Sequence, residues 1–330
     1  MTTTAAPQQR FPSAATLYRR AVDALPLRVR HGAWYHYRNL RYRRDFGRWP
    51  SVHDPQYFTE KVLWRIAHDR RQLLAVTCDK ARMKEWARQN APAFVQIPRL
   101  RWQGRDLREL ADVDLPEHWV LKPNHRSALV QFGSGAPDVD DLLSRTAGWL
   151  DPLQWVALGE WAYTLADASY LVEDRIGVPG DELTDFKFYV FEGDVALVHT
   201  DTNRFTHRGH RLYSPDWQWV GRAKGMPTGE DVPRPELLEE MLEAASAMGR
   251  GFDFIRVDLY QHDGQVWFGE ITPYPGSGTI SWQPDELDLR IGRRWRLPSF
   301  DETPVPPVDH GADRRVASPG AREAASRVPL

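Results

Sequence analysis

Phe254-Ile255-Arg256-Val257-Asp258-Leu259-Tyr260, followed after a short gap by Val266-Trp267-Phe268-Gly269-Glu270-Ile271-Thr272, is the stretch from which the rest of the chain is read. Both segments alternate apolar with polar or charged residues, the period of a half-buried strand. Between them His262-Asp263-Gly264 is a turn signal. A three-residue loop with Gly264 left-handed pairs Gln261 with Gln265, setting Arg256 opposite Glu270 and Asp258 opposite Phe268. Two carboxylates and a guanidinium then share one face, whereas a two-residue loop separates them. Two hard oxygen donors on rigid strands suit Mg²⁺ that also touches phosphate. The same spacing also fits a cross-strand Arg–Glu ion pair beside a solvated aspartate.

Working outward, Pro233–Met248 is an amphipathic helix with proline at its start. Phe186–Phe191 and Val195–Thr200 alternate around Glu192-Gly193-Asp194, and Ser169–Ile176 reads as a strand. Asp138–Leu150 reads as a helix. His118–Pro123 is an apolar strand ended by proline, and residues 128–132 form its hairpin partner across Asn124–Ser127. Residues 58–89 have helical spacing, with Leu63, Ile66 and Ala67 on one face. Asp79 is an N-cap for a helix running through Met83 and Trp86. Helical spacing also covers Ala14–Leu25. β-pairs interleaved with helices predict an α+β fold. Residues 1–12 and 303–330 are Pro-, Ala- and polar-rich and read as disordered tails.

The 330 residues, 42% of them hydrophobic, exceed one average domain. The 14 Trp are expected mainly as core and cleft walls. Cys78 is the single cysteine, so an intrachain disulfide is excluded and a reduced, cytoplasmic setting is the default. No apolar run is long enough for a membrane span, and the N-terminus lacks a signal core. The net charge of −2 divides into +13 over residues 1–110 and −15 over the remainder. The basic third fits an anionic substrate, nucleic acid or lipid surface, or docking against the acidic remainder; the last is the expectation. Arg and aromatic residues alternate over 30–44, but aromatics more often pack inward than stack on bases. Neither a Rossmann fingerprint nor a phosphate-binding P-loop is present.

Asp79-Lys80, Val120-Leu121-Lys122-Pro123, Leu171-Val172-Glu173, Asp185-Phe186-Lys187, Arg256-Val257-Asp258 and Gly269-Glu270-Ile271-Thr272 occur in that order. Together they resemble the ATP-grasp superfamily, and within it the group named for teichuronopeptide biosynthesis. Phe58-Thr59-Glu60-Lys61-Val62-Leu63-Trp64 and Phe268–Pro273 resemble that group further. The likeness spans roughly Asp54 to Gly292. It implies a basic N-terminal subdomain over 13–95, a central lid over 96–175 and a catalytic sheet over 176–302. It also implies ATP and Mg²⁺. Lys80 and Lys122 would hold phosphates, and Glu173, with the backbone through Asp174 and Ile176, would line the adenine hinge. Glu182 or Asp185 would reach the ribose. Asp258 and Glu270 would bind metal, with Thr272 where many relatives have asparagine. Arg256 would steady the acyl group, with Lys187 and Arg204 counted beside it as catalytic. Arg126 stands where the phosphate-covering loop is usually glycine-rich.

The implied reaction activates a carboxylate as an acyl phosphate and joins it to an amine, with an amino acid, peptide or polymer precursor as substrate. A kinase acting on a sugar or alcohol, and a degenerate module binding an anionic glycan, are the competing readings. The loop Thr200–Arg211 holds Asp201, Arg204, His207, Arg208 and His210. It is read as an anion contact led by Arg204, as a solvated basic loop, or as a metal site of His199, His207 and His210.

Overall fold

The computed structural model describes residues 27–151, 159–203 and 206–299. The expected helix over Ala14–Leu25, the expected disordered tails over 1–12 and 303–330, and Arg204 lie outside the described residues. Helix α1 (Leu27–Phe46) is followed by α2 (Phe58–His68), α3 (Gln72–Cys78) and α4 (Lys80–Asn90). The first sheet is formed by β1 (Leu100–Gly104), β2 (His118–Pro123), β3 (Gln131–Ser134) and β4 (Tyr170–Asp174). Its order is β1-β4-β2-β3, all antiparallel, and α5 (Val139–Arg145) follows β3.

The second sheet contains β5 (Asp185–Phe191), β6 (Asp194–Thr202), β7 (Gly209–Tyr213), β8 (Trp219–Ala223), β9 (Ile255–His262), β10 (Gln265–Thr272) and β11 (Trp282–Gln283). Its order is β10-β9-β5-β6-β7-β8-β11. Helix α6 (Leu238–Gly249) precedes β9, and α7 (Glu286–Arg294) follows β11.

Strand β5 shows how this sheet places chemistry. All of its residues are buried, and its two faces enter different cores. Phe186, Phe188 and Val190 pack with Met83, Met241 and Met248. Tyr189 and Phe191 pack with Phe58, Val62, Trp282 and Trp295. Because side chains alternate, Asp185 and Lys187 continue the Tyr189 face. The smaller sheet has its own core, with Trp119, Leu121 and Val172 against Leu107, Leu110 and Leu142.

Several expected boundaries move. Residues 128–130 are not in a strand: Leu121 pairs with Gln131, so the β2–β3 connection is longer and its apolar residues line a cavity instead. Helix α5 stops before Leu150, where Gly148 turns the chain with φ 78°. Helix α6 starts after Pro233 and Pro235 rather than at them. Asp79 caps α4, accepting from the Arg82 amide at 3.0 Å. Docking of basic on acidic residues is present as Arg48–Asp288, Arg65–Asp253, Lys84–Glu173 and Arg101–Asp174 pairs.

Candidate active site between two sheets

The β9–β10 turn has two residues, Asp263 and Gly264, both at positive φ (49° and 65°), with His262 paired to Gln265. The expected three-residue loop is therefore corrected. Continued unbroken, this register would put Glu270 opposite Val257 and split the carboxylates. A bulge between Phe268 and Glu270 restores them: Asp258 pairs with Glu270 and Arg256 with Thr272. The bulge residue is Gly269, where a Cβ would lie 2.8 Å from the Tyr260 ring and 3.0 Å from the Asp258 carbonyl. An extra residue in one strand shifts alternation by one position. Two departures from the simple register thus cancel, and Asp258 and Glu270 share a face.

Arg256 joins these groups. Its Nε and Nη2 each donate to Asp258 at 2.6 Å, and Nη2 also donates to Glu270 Oε1 at 3.1 Å and Thr272 Oγ1 at 3.3 Å. Burial opposes the Arg256 charge, but Asp258 and Glu270 outweigh it and raise its pKa. Burial raises the Asp258 carboxyl, with Arg256 and Lys187 pulling the other way. Lys187 pairs across the sheet with Asp258 and His199, and its Nζ donates to Asp185 at 2.8 Å and Asp258 at 3.3 Å.

The same face continues into β6 and β7. Asp201 pairs with Asp185 on one side and His210 on the other. His199 Nε2 and His210 Nδ1 lie 3.0 Å apart, both rings buried. Burial lowers the pKa of each ring, which suits one neutral imidazole donating to another. His207 is exposed and Arg208 is spent on Asp201 at 2.8 Å.

The smaller sheet and α4 supply the opposing groups. Lys122 Nζ donates to Glu173 Oε1, and Lys84 Nζ lies 2.9 Å from Glu173 Oε2. Burial would raise the Glu173 carboxyl, but Lys122 and Lys84 outweigh it and hold it at about 2. Lys80 donates to the main-chain carbonyl of Pro123 at the end of β2, at 3.0 Å, and to those of Asn124 and Arg126 in the β2–β3 connection. Burial lowers its ammonium pKa to about 8 against the pull of Glu270.

A cavity of about 530 Å³ separates the two sets. Lys80, Lys122, Glu173, Asp174 and Ile176 line it with Glu182, Asp185, Asp258 and Glu270. Val120, Leu129, Phe132, Tyr260 and Phe268 give it apolar walls. Lys187, Arg256 and Thr272 are not in that lining and touch it through Asp258 and Glu270. Glu182 is exposed and accepts from Thr206 at 3.2 Å, whereas Asp185 is buried against Lys187. Lys84 falls in the 58–89 helical stretch as a polar position and in none of the motifs. Its spacing of four from Lys80 puts both on one helix face, and that signal was available. The cavity walls from the β2–β3 connection had no sequence signal.

Among the described residues, no group of three or more His, Cys, Asp or Glu side chains is placed to hold a metal ion. That removes the three-histidine reading for the described side chains. Asp258 and Glu270 nevertheless converge on one point, now held by Arg256 Nη2. Mg²⁺ at nucleotide sites commonly takes one or two carboxylates and completes its shell with phosphate and water. The pair fits a cation that arrives with phosphate, and does not form an all-protein cage.

A family model described as TupA-like ATPgrasp matches residues 60–296. No curated protein sequence matches the chain. Among solved structures, D-alanine–D-alanine ligase from Bacillus anthracis, complexed with ATP, is 19% identical with a TM-score of 0.35. That match covers 61% of this chain and 55% of the ligase. The D-alanine–D-alanine ligase from Helicobacter pylori is 15% identical with a TM-score of 0.40, covering 68% and 62%. L-amino acid ligase from Bacillus licheniformis is 14% identical with a TM-score of 0.36, covering 61% and 42%. The chain thus spans between two fifths and two thirds of the length of these proteins.

Proposed function

Because the chain belongs to the TupA-like ATP-grasp family, we propose that it is an ATP- and Mg²⁺-dependent ligase joining a carboxylate to an amine through an acyl phosphate. The observation that carries this reading is the cavity itself. Two cavity-lining lysines and Glu173 on one side oppose Asp258 and Glu270 on the other, with apolar walls between them.

In this reading, residues 96–175 form the lid and 176–302 the catalytic part. Lys80 and Lys122 bind phosphate oxygens as point charges. Glu173 and the backbone through Asp174 and Ile176 receive the adenine. Glu182 takes the ribose, since Asp185 is committed to Lys187. Asp258 and Glu270, with Thr272 beside them, would hold Mg²⁺, which when bound would offset charge on the transferring phosphoryl group. Arg256 and Lys187 keep the carboxylates oriented. Arg256 also has the charge that would steady the acyl oxygen. A carboxylate is a poor acyl donor because its leaving group would be oxide. Phosphorylation supplies a better leaving group, and the lid excludes water while the amine attacks.

ADP release measured against pools of amino acids and sugar acids tests the reading. With the true acid and hydroxylamine replacing the amine, a hydroxamate is expected. A stable phosphorylated alcohol or sugar would instead identify a kinase, and failure to bind ATP would identify a binding module. Arg204 is assigned to the acceptor or γ-phosphate on sequence grounds. Arg204→Ala should lower kcat/KM by about 10- to 100-fold, the value of one or two charge-assisted hydrogen bonds.

A further inference from the structure

The basic N-terminal third is only partly consumed by acidic partners inside the fold, and α1 carries a surplus. Its sequence contains six arginines and a single acid, Asp45. One side is anchored: Tyr42 is buried and bonds Thr59 at 3.0 Å, and Arg38 donates to the Ser277 carbonyl. Another side shows His36, Leu40, Arg43 and Arg44 to solvent at helical spacing, followed by Trp49. Leu40 is 54% exposed and Trp49 55%. The Arg43 guanidinium lies 5.2 Å from the Trp49 ring centroid. Asp45 pairs with Arg41 and Arg44, leaving the face net basic.

We propose that this face docks on an anionic lipid bilayer, with Arg43 and Arg44 at the headgroups and Leu40 and Trp49 at the acyl boundary. This inference is independent of the ligase reading. Charge complementarity supplies the attraction, because each arginine near an anionic bilayer adds to binding. The rest of the sequence offers no such surplus, since residues after 110 carry a net −15, so attraction to an anionic surface falls to this face. A bilayer fits better than a dissolved polyanion because it offers an apolar boundary beneath its charge. Leu40 on the helix and Trp49 just beyond its end stand beside the arginines, and indole rings favour the membrane–water interface. No described helix is long and apolar enough to cross a membrane, so the contact is peripheral.

Flotation of the full chain with phosphatidylcholine vesicles, with and without one third phosphatidylglycerol, tests this. Binding is expected only with the anionic lipid and should weaken as salt rises. Arg43→Glu with Arg44→Glu should lower partitioning by at least about tenfold. Leu40→Ser with Trp49→Ser should lower it to a similar extent, about tenfold, by removing the apolar contact. ADP release without lipid should stay unchanged in both variants, since neither pair lines the cavity. Should a variant not fold, Leu40→Cys carrying an environment-sensitive dye reads the same contact, because Cys78 is buried and labelling is selective. Its emission should shift to the blue on anionic vesicles. Absence of binding, or of that shift, overturns the proposal. So does equal binding to heparin that ignores Leu40 and Trp49, which would make the face a polyanion site.

Discussion

Two buried charge clusters, built from the same residue types, do different work in this molecule. Around Arg65, Nη2 bonds Asp253 at 2.7 Å and Nη1 bonds the Phe254 and Pro273 carbonyls. Arg71 bridges Asp69 and Asp253, and the Trp295 indole donates to Asp253 at 2.6 Å. The Arg65 guanidinium lies 4.3 Å from the Trp295 ring centroid, and its side chain has no exposure. Around Arg256 the bonds are as short, yet Glu270 keeps 41% of its side-chain exposure and faces the cavity. The first cluster ties α2 to the start of β9; the second presents carboxylates to a void. Burial and charge are common to both. Arg71 is itself 30% exposed, so what separates them is whether a member lines the cavity.

Removing the fully buried Arg65 charge from the first cluster should cost most. Arg65→Met leaves Asp253 and Asp69 short of a buried partner, a loss of about 3–5 kcal/mol. Thermal unfolding should register it as a fall of roughly 10 °C, while ADP release per folded molecule at low temperature stays near wild type. A large loss of turnover without loss of stability would erase the contrast.

At the open cluster the expected pattern reverses. Asp258→Asn and Glu270→Gln each remove an anionic oxygen at nearly constant volume. Turnover should fall by about 10²- to 10³-fold, the scale of losing a preorganised charge contact. The melting temperature should stay close to wild type. Wild-type ADP release with Mg²⁺ limiting would remove both residues from the site.

Glu160 tests a case between the two. It is buried, accepts from Ser277 Oγ at 2.6 Å, and burial pushes its carboxyl up to about 7 against the pull of Ser277 and Arg38. Its folded pKa lies above the ordinary 4.5. Its stabilising contribution is therefore complete below pH 4.5 and is lost as pH rises through about 7. Glu160→Gln should gain on wild type by up to about 3 kcal/mol between pH 5 and 8, at 1.36 kcal/mol per pKa unit. Melting curves of the two proteins across that range measure it. A pH-independent difference accompanied by lost turnover would move Glu160 into the open class.

The smallest effect is expected at Lys84, which holds Glu173 from the side opposite Lys122. Lys84→Met should raise the KM for ATP by about tenfold with a smaller change in kcat, and Lys84→Arg should recover part of it. Equal kinetics in all three proteins would make Lys84 a purely structural residue.

Much of the element order was legible because apolar spacing is a local signal. The hairpin face was read correctly through a wrong loop: the real turn is one residue shorter, and the Gly269 bulge adds the residue back. Nothing in the strand alternation announces a bulge, although a glycine inside a strand is a hint. The Arg65 cluster was not legible at all, since Arg65 and Asp253 lie 188 residues apart. Residues 128–130 were misread because apolar side chains lining a cavity look like a short strand.

Alternation along β5, β6 and β9 places Asp185 with Lys187, His199 with Asp201, and Arg256 with Asp258 on common faces. This follows from the two-residue period of an extended chain and needs no knowledge of neighbours. The meeting of those faces across the sheet, and of Glu270 with Asp258, depends on register, a bulge and loop lengths. Those are fixed by packing between residues distant in the chain. Lys80, Lys84 and Lys122 likewise come together only when α4 lies where Lys84 reaches Glu173 on β4 and Lys80 reaches the Pro123 carbonyl on β2. Their types were written in the chain; the meeting of Lys84 and Lys122 on Glu173, and of Lys80 and Lys122 at the cavity, came from that packing.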